Sequence, residues 1–157
     1  MSRCRVLFVC TGNICRSPTA EGVARGLAAK QGVDHLFEFD SAGTHGYHVG
    51  DPPDPRTVAA ARRRGYDLSP LRARRVTEFD FIGFDHVLAM DREHLDFLQR
   101  ACPPPHRHKL RMFLEYRQAF DLDEVPDPYY GGGQGFEQVL DLVEDAATRL
   151  IVTLSAR

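Results

Sequence analysis

A continuous apolar run, Val6 to Val9, ends at Cys10, crosses a short polar loop and gives way at Ser17-Pro18 to a helix. No other stretch of the chain restricts the fold as much. A short run rich in β-branched and aromatic residues reads as a buried strand. Ser17 suits a helix N-cap, Pro18 the first helical position, and Glu21 places negative charge near the first turn. The loop between strand and helix therefore sits at a helix N-terminus, where unpaired N–H groups and the macrodipole attract an anion. Gly12 permits positive φ and Asn13 tolerates it, so the backbone amides can curl inward. The same field stabilises a thiolate; cysteines so placed fall to pKa values of roughly 3.5–7.5 from about 8.5. Arg16 adds a planar fork matched to two phosphate oxygens. A cysteine ending a strand is ordinarily a small core hydrophobe. The conjunction of strand, Gly-Asn loop, arginine and Ser-Pro helix start instead equips Cys10 to accept a phosphoryl group. Thr11, Gly12, Asn13, Ile14, Cys15 and Ser17 form the phosphate-binding loop around it.

The pattern of strand followed by helix repeats. A strand over 4–9 leads to a helix from about 18 to 31, with Ala20, Val23, Ala24, Leu27 and Ala28 at helical spacing and Gly32 ending it. A second strand over 36–40 precedes a loop rich in His, Gly and Pro. Asp54, Pro55 and Gly65 bracket another helix, whose Arg62 to Arg64 face solvent in the last turn. A third strand covers 86–89, Asp91 caps a helix to about Arg100, and a fourth strand covers 109–113. The last helix carries one apolar stripe: Phe136, Val139, Leu140, Val143, Ala146, Ala147, Leu150, Ile151 and Leu154. The expected class is α/β, a three-layer α/β/α arrangement around a four-stranded parallel twisted sheet. Ligands in such folds bind beyond the carboxyl ends of the strands, which is where Cys10 sits.

At 157 residues the chain is expected to form a single domain, 1–157. A net charge of −2 argues against nucleic-acid binding by bulk electrostatics. No apolar segment approaches membrane-spanning length, and the N-terminus leads into a strand rather than a signal peptide, so a cytoplasmic protein without membrane partner is expected. Four cysteines in such a chain read as free thiols with a reactive site. The sequence leaves the oligomeric state open.

Phosphoryl transfer to cysteine calls for an acid that protonates the leaving oxygen. Asp127, in Val125-Pro-Asp-Pro-Tyr-Tyr-Gly-Gly-Gly133, is held between two prolines just before the last helix. Asp-Pro-x-x-Gly is also an ordinary turn, and the residues alone leave both readings open. Cys10-Thr-Gly-Asn-Ile-Cys-Arg-Ser-Pro18, however, fits throughout the C-x5-R-S/T-P signature of the low-molecular-weight protein tyrosine phosphatases, and the chain resembles that family over nearly its whole length. The resemblance implies that Asp127 is the general acid and then base, with Tyr129 and Tyr130 as aromatic walls of the substrate slot. Ser41-Ala-Gly-Thr44, Tyr47 and Gly50 to Pro55 are similar to the family's substrate-selecting loop, where Tyr47 would stack on the substrate ring. Met90-Asp91 resembles the segment whose aspartate orients the loop arginine, so Asp91 both caps a helix and partners Arg16. The resemblance implies no cofactor and no metal, and a phosphotyrosine protein, for instance a tyrosine kinase, as substrate. Many relatives carry a histidine bracing the loop asparagine where this chain has Leu71, which leaves the support of Asn13 to be found.

Cys15 lies five residues after Cys10 in a loop that curls back, which suggests a disulfide partner when Cys10 is oxidised. Cys4 and Cys102 read as structural. A thiol-coupled arsenate reductase shares this kind of fold and loop, but it needs two further cysteines on a mobile segment. None lies between Cys15 and Cys102. A phosphotyrosine-binding module without catalysis would not require Cys10, Arg16 and Asp127 together. Cys102-Pro-Pro-Pro-His-Arg-His108 reads as a surface loop rather than a metal site. Neither G-x-x-x-x-G-K-[ST] nor G-x-G-x-x-G occurs.

Overall fold

A computed structural model describes residues 3–129 and 131–156. Strand β1 (Cys4–Cys10) is followed by α1 (Arg16–Lys30), β2 (Phe37–Gly43), α2 (Pro55–Arg63), α3 (Glu78–Gly83), β3 (His86–Ala89), α4 (Arg92–Ala101), β4 (Leu110–Met112) and α5 (Gly133–Ser155). The strands form one parallel sheet in the order β2-β1-β3-β4. The pleat of β1 divides the core. Val6 and Phe8 point into a cluster with Ala20, Val23 and Ala24 of α1 and the apolar stripe of α5. Leu7 and Val9 point to the other face, against Phe81 and Phe84 beside α3 and Leu98 of α4. A strand buried on both faces needs no polar alternation, which is why Val6 to Val9 is continuously apolar. The α/β/α layering is therefore as expected, with β1 inside the sheet and its carboxyl end open to the loops.

Local boundaries depart from the sequence reading where tertiary contacts compete with propensity. Helix α1 begins at Arg16, not at Pro18, and its N-cap is Cys15 without a side-chain cap bond. Ser17 is thus inside the helix, and its hydroxyl is engaged elsewhere. Glu21 falls outside the first turn and is buried. Strand β2 continues to Gly43 because all seven of its residues pair with β1, from Cys4 opposite Phe37 to Cys10 opposite Gly43. The short helix α3 carries a capping box from Thr77 and Asp80 that no apolar periodicity announced. Asp54 and Asp91 cap α2 and α4 as their positions suggest.

The arginines after α2 do more than face solvent. Arg64 Nη2 pairs with Glu137 Oε1 and Asp141 Oδ1, both at 2.9 Å, and its Nη1 meets Glu144 Oε1 at 2.5 Å. Tyr66 Oη donates to Glu144 Oε2 at 2.6 Å. These contacts fasten the end of α2 to α5, which lies next to α1 and so backs the helix that carries Arg16. No helix among the described residues is long and apolar enough to cross a membrane.

Candidate active site

Strand β1 delivers Cys10 to the carboxyl edge of the sheet, where the chain turns back on itself before α1. Three loop carbonyls are tied outward: Cys10 O accepts from Thr44 N–H at 2.8 Å, Thr11 O from His45 N–H at 3.0 Å and Ile14 O from Asp54 N–H at 2.9 Å. In a trans peptide the C=O and the following N–H point in opposite directions. The N–H groups of Thr11, Gly12 and Cys15 are consequently turned toward the inside of the curl. The close approach of β2 depends on Gly43, since a Cβ there would lie 2.7 Å from Thr11 O.

Asn13, rather than Gly12, takes the left-handed conformation, with φ of 58°. Its side chain explains why an asparagine occupies this position. The amide nitrogen donates to Ser17 Oγ at 2.8 Å and Ser41 Oγ at 2.9 Å, and Oδ1 accepts from Arg74 N–H at 3.0 Å. Leu71 takes no part and packs beside the core; Ser41 and the Arg74 backbone supply the brace instead. Because Ser17 Oγ already accepts from Asn13, its proton is free to point at Cys10 Sγ, 3.0 Å away. The sulfur thus has a hydroxyl aimed at it from the first turn of α1. Cys10 is only 3% exposed, so its sulfur is surrounded by these groups instead of water.

Arg16 is buried and fixed from behind. Its Nη1 donates to Asp91 Oδ2 at 2.8 Å and to Val125 O at 3.0 Å. Asp91 cannot drift, because Oδ1 accepts the His94 N–H at 3.0 Å as the cap of α4. This accords with the two roles expected of Asp91. The other edge of the guanidinium faces Asp127, whose Oδ2 is 3.8 Å from Nη2. Asp127 is 46% exposed on its side chain, and Oδ1 accepts from Tyr129 N–H at 3.0 Å. The carboxylate thus closes its own turn and also lies at the mouth of the loop.

These groups line a hollow of about 240 Å³ formed by Cys10, Thr11, Gly12, Ile14, Cys15, Arg16, Tyr47, His48, Asp127 and Tyr129. The volume suits a phosphate and part of a ring. Tyr47 is 73% exposed and stacks on His45, centroids 5.1 Å apart at 11°. Tyr129 lies under the Arg56 guanidinium at 5.3 Å. Tyr130, the other expected wall residue, lies outside the described residues. Asn13 and Ser17 are not on the wall; they act through the loop. Both Cys10 and Cys15 are free, and burial pushes the Cys15 thiol up to about 12. At neutral pH Cys15 stays protonated.

Three residues of the site escaped the sequence reading. His48 covers Gly12, where a Cβ would lie 3.0 Å from the His48 ring. Glu21 accepts from Ser41 Oγ at 2.7 Å and pairs with Arg25 at 2.7 Å; burial raises it to about 7 against both of those partners. A carboxylate flanked by Ala20, Val23 and Ala24 on the inner face of a helix was the available signal. His94 is buried beside Arg16 and Thr11, and burial, followed by the nearby Arg16 charge, lowers it to about 4. Its signal was a histidine three residues after a capping aspartate.

Comparison with known proteins agrees with this geometry. A family model described as low molecular weight phosphotyrosine protein phosphatase matches residues 5–157. A low molecular weight protein-tyrosine-phosphatase of Streptomyces coelicolor is 47% identical over 154 residues, covering 96% of this chain and 93% of the relative. Its Bacillus subtilis counterpart YfkJ is 41% identical over 149 residues, covering 95% and 94%. Among solved structures, a protein tyrosine phosphatase from Entamoeba histolytica with Hepes in the active site superposes with a TM-score of 0.95 at 39% identity, covering 99% of this chain and 98% of that one.

Proposed function

The chain belongs to the low molecular weight phosphotyrosine protein phosphatase family, and from that membership we propose that it hydrolyses phosphotyrosine in proteins through a phosphocysteine intermediate. The observation that carries the reading is the hydrogen bond between Ser17 Oγ and Cys10 Sγ, 3.0 Å, inside a hollow shared with Arg16. A thiolate so supported attacks phosphorus in line, forming the S–P bond as the bond to the phenolic oxygen breaks. The inward amides and Arg16 hold the three equatorial oxygens as their charge develops. Asp127, as the acid, gives its proton to the leaving phenolate. The resulting carboxylate takes a proton from water; the water oxygen attacks phosphorus, the S–P bond breaks, and Cys10 returns as thiolate with phosphate released. Electrons and protons balance without metal or cofactor. Ser17 assists the second step by donating to the departing sulfur.

Tyr47 and Tyr129 border the opening and offer apolar faces to an aryl ring, and Tyr130 is assigned the same role by its place in the motif. The whole chain then serves as one catalytic domain acting on a phosphotyrosine protein, of which a tyrosine kinase is one candidate class. The decisive experiment is turnover of p-nitrophenyl phosphate and phosphotyrosine peptides without metal, alongside arsenate reduction with thiols. Turnover lost in Cys10→Ser, with phosphopeptide still captured by that variant, is the expected result. Arsenate reduction without phosphatase turnover, or turnover that persists in Cys10→Ser, refutes the assignment.

A further inference from the structure

His94 is the buried polar side chain of the site that the two-step chemistry leaves without a task. It is 2% exposed, and its Nε2 lies 2.8 Å from Thr11 Oγ1. The backbone N–H of Asp91 points at its Nδ1 from 3.2 Å. A neutral imidazole that accepts at Nδ1 carries its proton on Nε2, so the ring donates to Thr11. Arg16 Nη2 approaches Nε2 to 3.4 Å. At 3.4 Å this contact is longer than the 2.8 Å one to Thr11 Oγ1, which takes the Nε2 proton. A threonine hydroxyl that accepts one hydrogen bond keeps its own proton to give, and Thr11 is partly exposed on the wall of the hollow beside Cys10. The arrangement repeats that on the other side of the loop. There the Asn13 amide donates to Ser17, and the freed Ser17 proton points at Cys10 Sγ.

We propose that His94 is a positioning residue for phosphoryl transfer: by donating from Nε2 to Thr11 Oγ1 it turns the Thr11 hydroxyl proton into the hollow, where it binds a phosphoryl oxygen. The loop then offers the anion a side-chain donor in addition to backbone amides and Arg16. A hydrogen bond to a charged oxygen in a desolvated site is worth more than a neutral one. The gain is realised only when Thr11 and His94 are both present, which separates this role from packing. The inference rests on the phosphatase reading.

Steady-state kinetics on p-nitrophenyl phosphate and inhibition by inorganic phosphate test it in wild type, Thr11→Val, Thr11→Ser, His94→Leu and the Thr11→Val/His94→Leu double variant. Thr11→Val is expected to lower kcat/KM and raise the phosphate inhibition constant by about tenfold, with Thr11→Ser restoring most of both. In the His94→Leu background Thr11→Val should cost nothing further, since the relay is already broken. Wild-type values for Thr11→Val, or losses that multiply in the double variant, overturn the inference. If His94→Leu does not fold, the contrast between Thr11→Val and Thr11→Ser decides by itself: equal values for the two refute the role. A wild-type protein inert toward aryl phosphates overturns the phosphatase reading and this inference with it, whereas an active wild type with an unimpaired Thr11→Val overturns this inference alone.

Discussion

The segment 10–17 and the segment 121–129 border the same hollow and are built in opposite ways. In the first, the side chains of Asn13, Arg16 and Ser17 are buried, and each has two or more partners. In the second, Val125 is the anchor: its N–H donates to Met90 O at 2.8 Å and its carbonyl accepts from Arg16. Beyond Val125, Pro126 and Asp127 are exposed before Pro128 turns back inward, and the half-exposed Asp127 bonds within its own turn. The tasks proposed for the two loops explain the contrast. Stabilising charge on phosphorus needs dipoles that are already aimed, because reorienting them during reaction would cost the energy they supply. Protonating a leaving oxygen needs reach toward substrates of different shape, and an exposed carboxylate on a proline-bounded turn provides it.

The comparison can be broken first on the rigid side. Arg16→Lys keeps the charge but loses the fork that reaches Asp91 and Val125 O and, in the proposed reaction, two phosphate oxygens. A fall in kcat/KM of about 10³-fold is expected; a loss below tenfold would mean that charge alone suffices. On the open side, Asp127→Ala should slow phenyl phosphate about 10²-fold while p-nitrophenyl phosphate, with its good leaving group, loses much less. Equal losses across a leaving-group series would remove Asp127 from the acid role.

Asn13→Ala removes three hydrogen bonds and puts a Cβ-bearing residue without a polar tip at φ 58°. Urea denaturation should show a loss of about 2–3 kcal/mol, and Asn13→Gly, free of the backbone strain, should lose about 1 kcal/mol less. Identical losses would show that the conformation itself is not strained.

The buried pair His94 and Glu21 predicts a smaller effect, on stability against pH. His94 is lowered from 6.5 to about 4, so on acidification the unfolded chain takes up that proton first. Its contribution is whole above about pH 6.5 and declines as pH falls toward 4. Glu21 is raised from 4.5 to about 7, so the folded state retains a proton that the unfolded chain releases. That contribution is whole below about pH 4.5 and declines as pH rises to 7. Between these limits the two slopes oppose. Glu21→Gln should therefore expose the His94 slope, making the variant more acid-sensitive than wild type by up to about 1.4 kcal/mol per pH unit. Parallel stability curves from pH 5 to 6.5 would refute the pairing. Last, mild peroxide should convert Cys10 to the sulfenic acid, which Cys15 then attacks to give a disulfide and water. The raised Cys15 thiol makes the second step slow, so mass mapping should find the disulfide accumulating after turnover is lost. Overoxidised Cys10 beside free Cys15 would exclude that pairing.

Local chemistry made part of this molecule legible. The double burial of β1, the caps Asp54 and Asp91, and the stripe of α5 each follow from residues within one element. Ser17 shows where such reasoning stops. Its type suits an N-cap, yet its hydroxyl is taken by Asn13 and Cys10, and the helix starts before it. Arg64 likewise reads as a solvated helix end until α5 brings three carboxylates to it. Glu21, Ser41, Asn13 and Arg74 lie on separate segments, and no spacing along the chain announces that they share one buried hydrogen-bond network.

The sequence by itself determined that an apolar strand hands a cysteine to an anion-binding loop at a helix N-terminus, because strand, turn and helix-start preferences act over a few residues. Only the tertiary structure decided what holds that loop: Ser41 and the Arg74 backbone in the absence of a histidine at 71, Asp91 and Val125 behind Arg16, and His94 against Thr11. Those partners come from far along the chain, and burial makes each unpaired polar group costly enough that the fold must supply them.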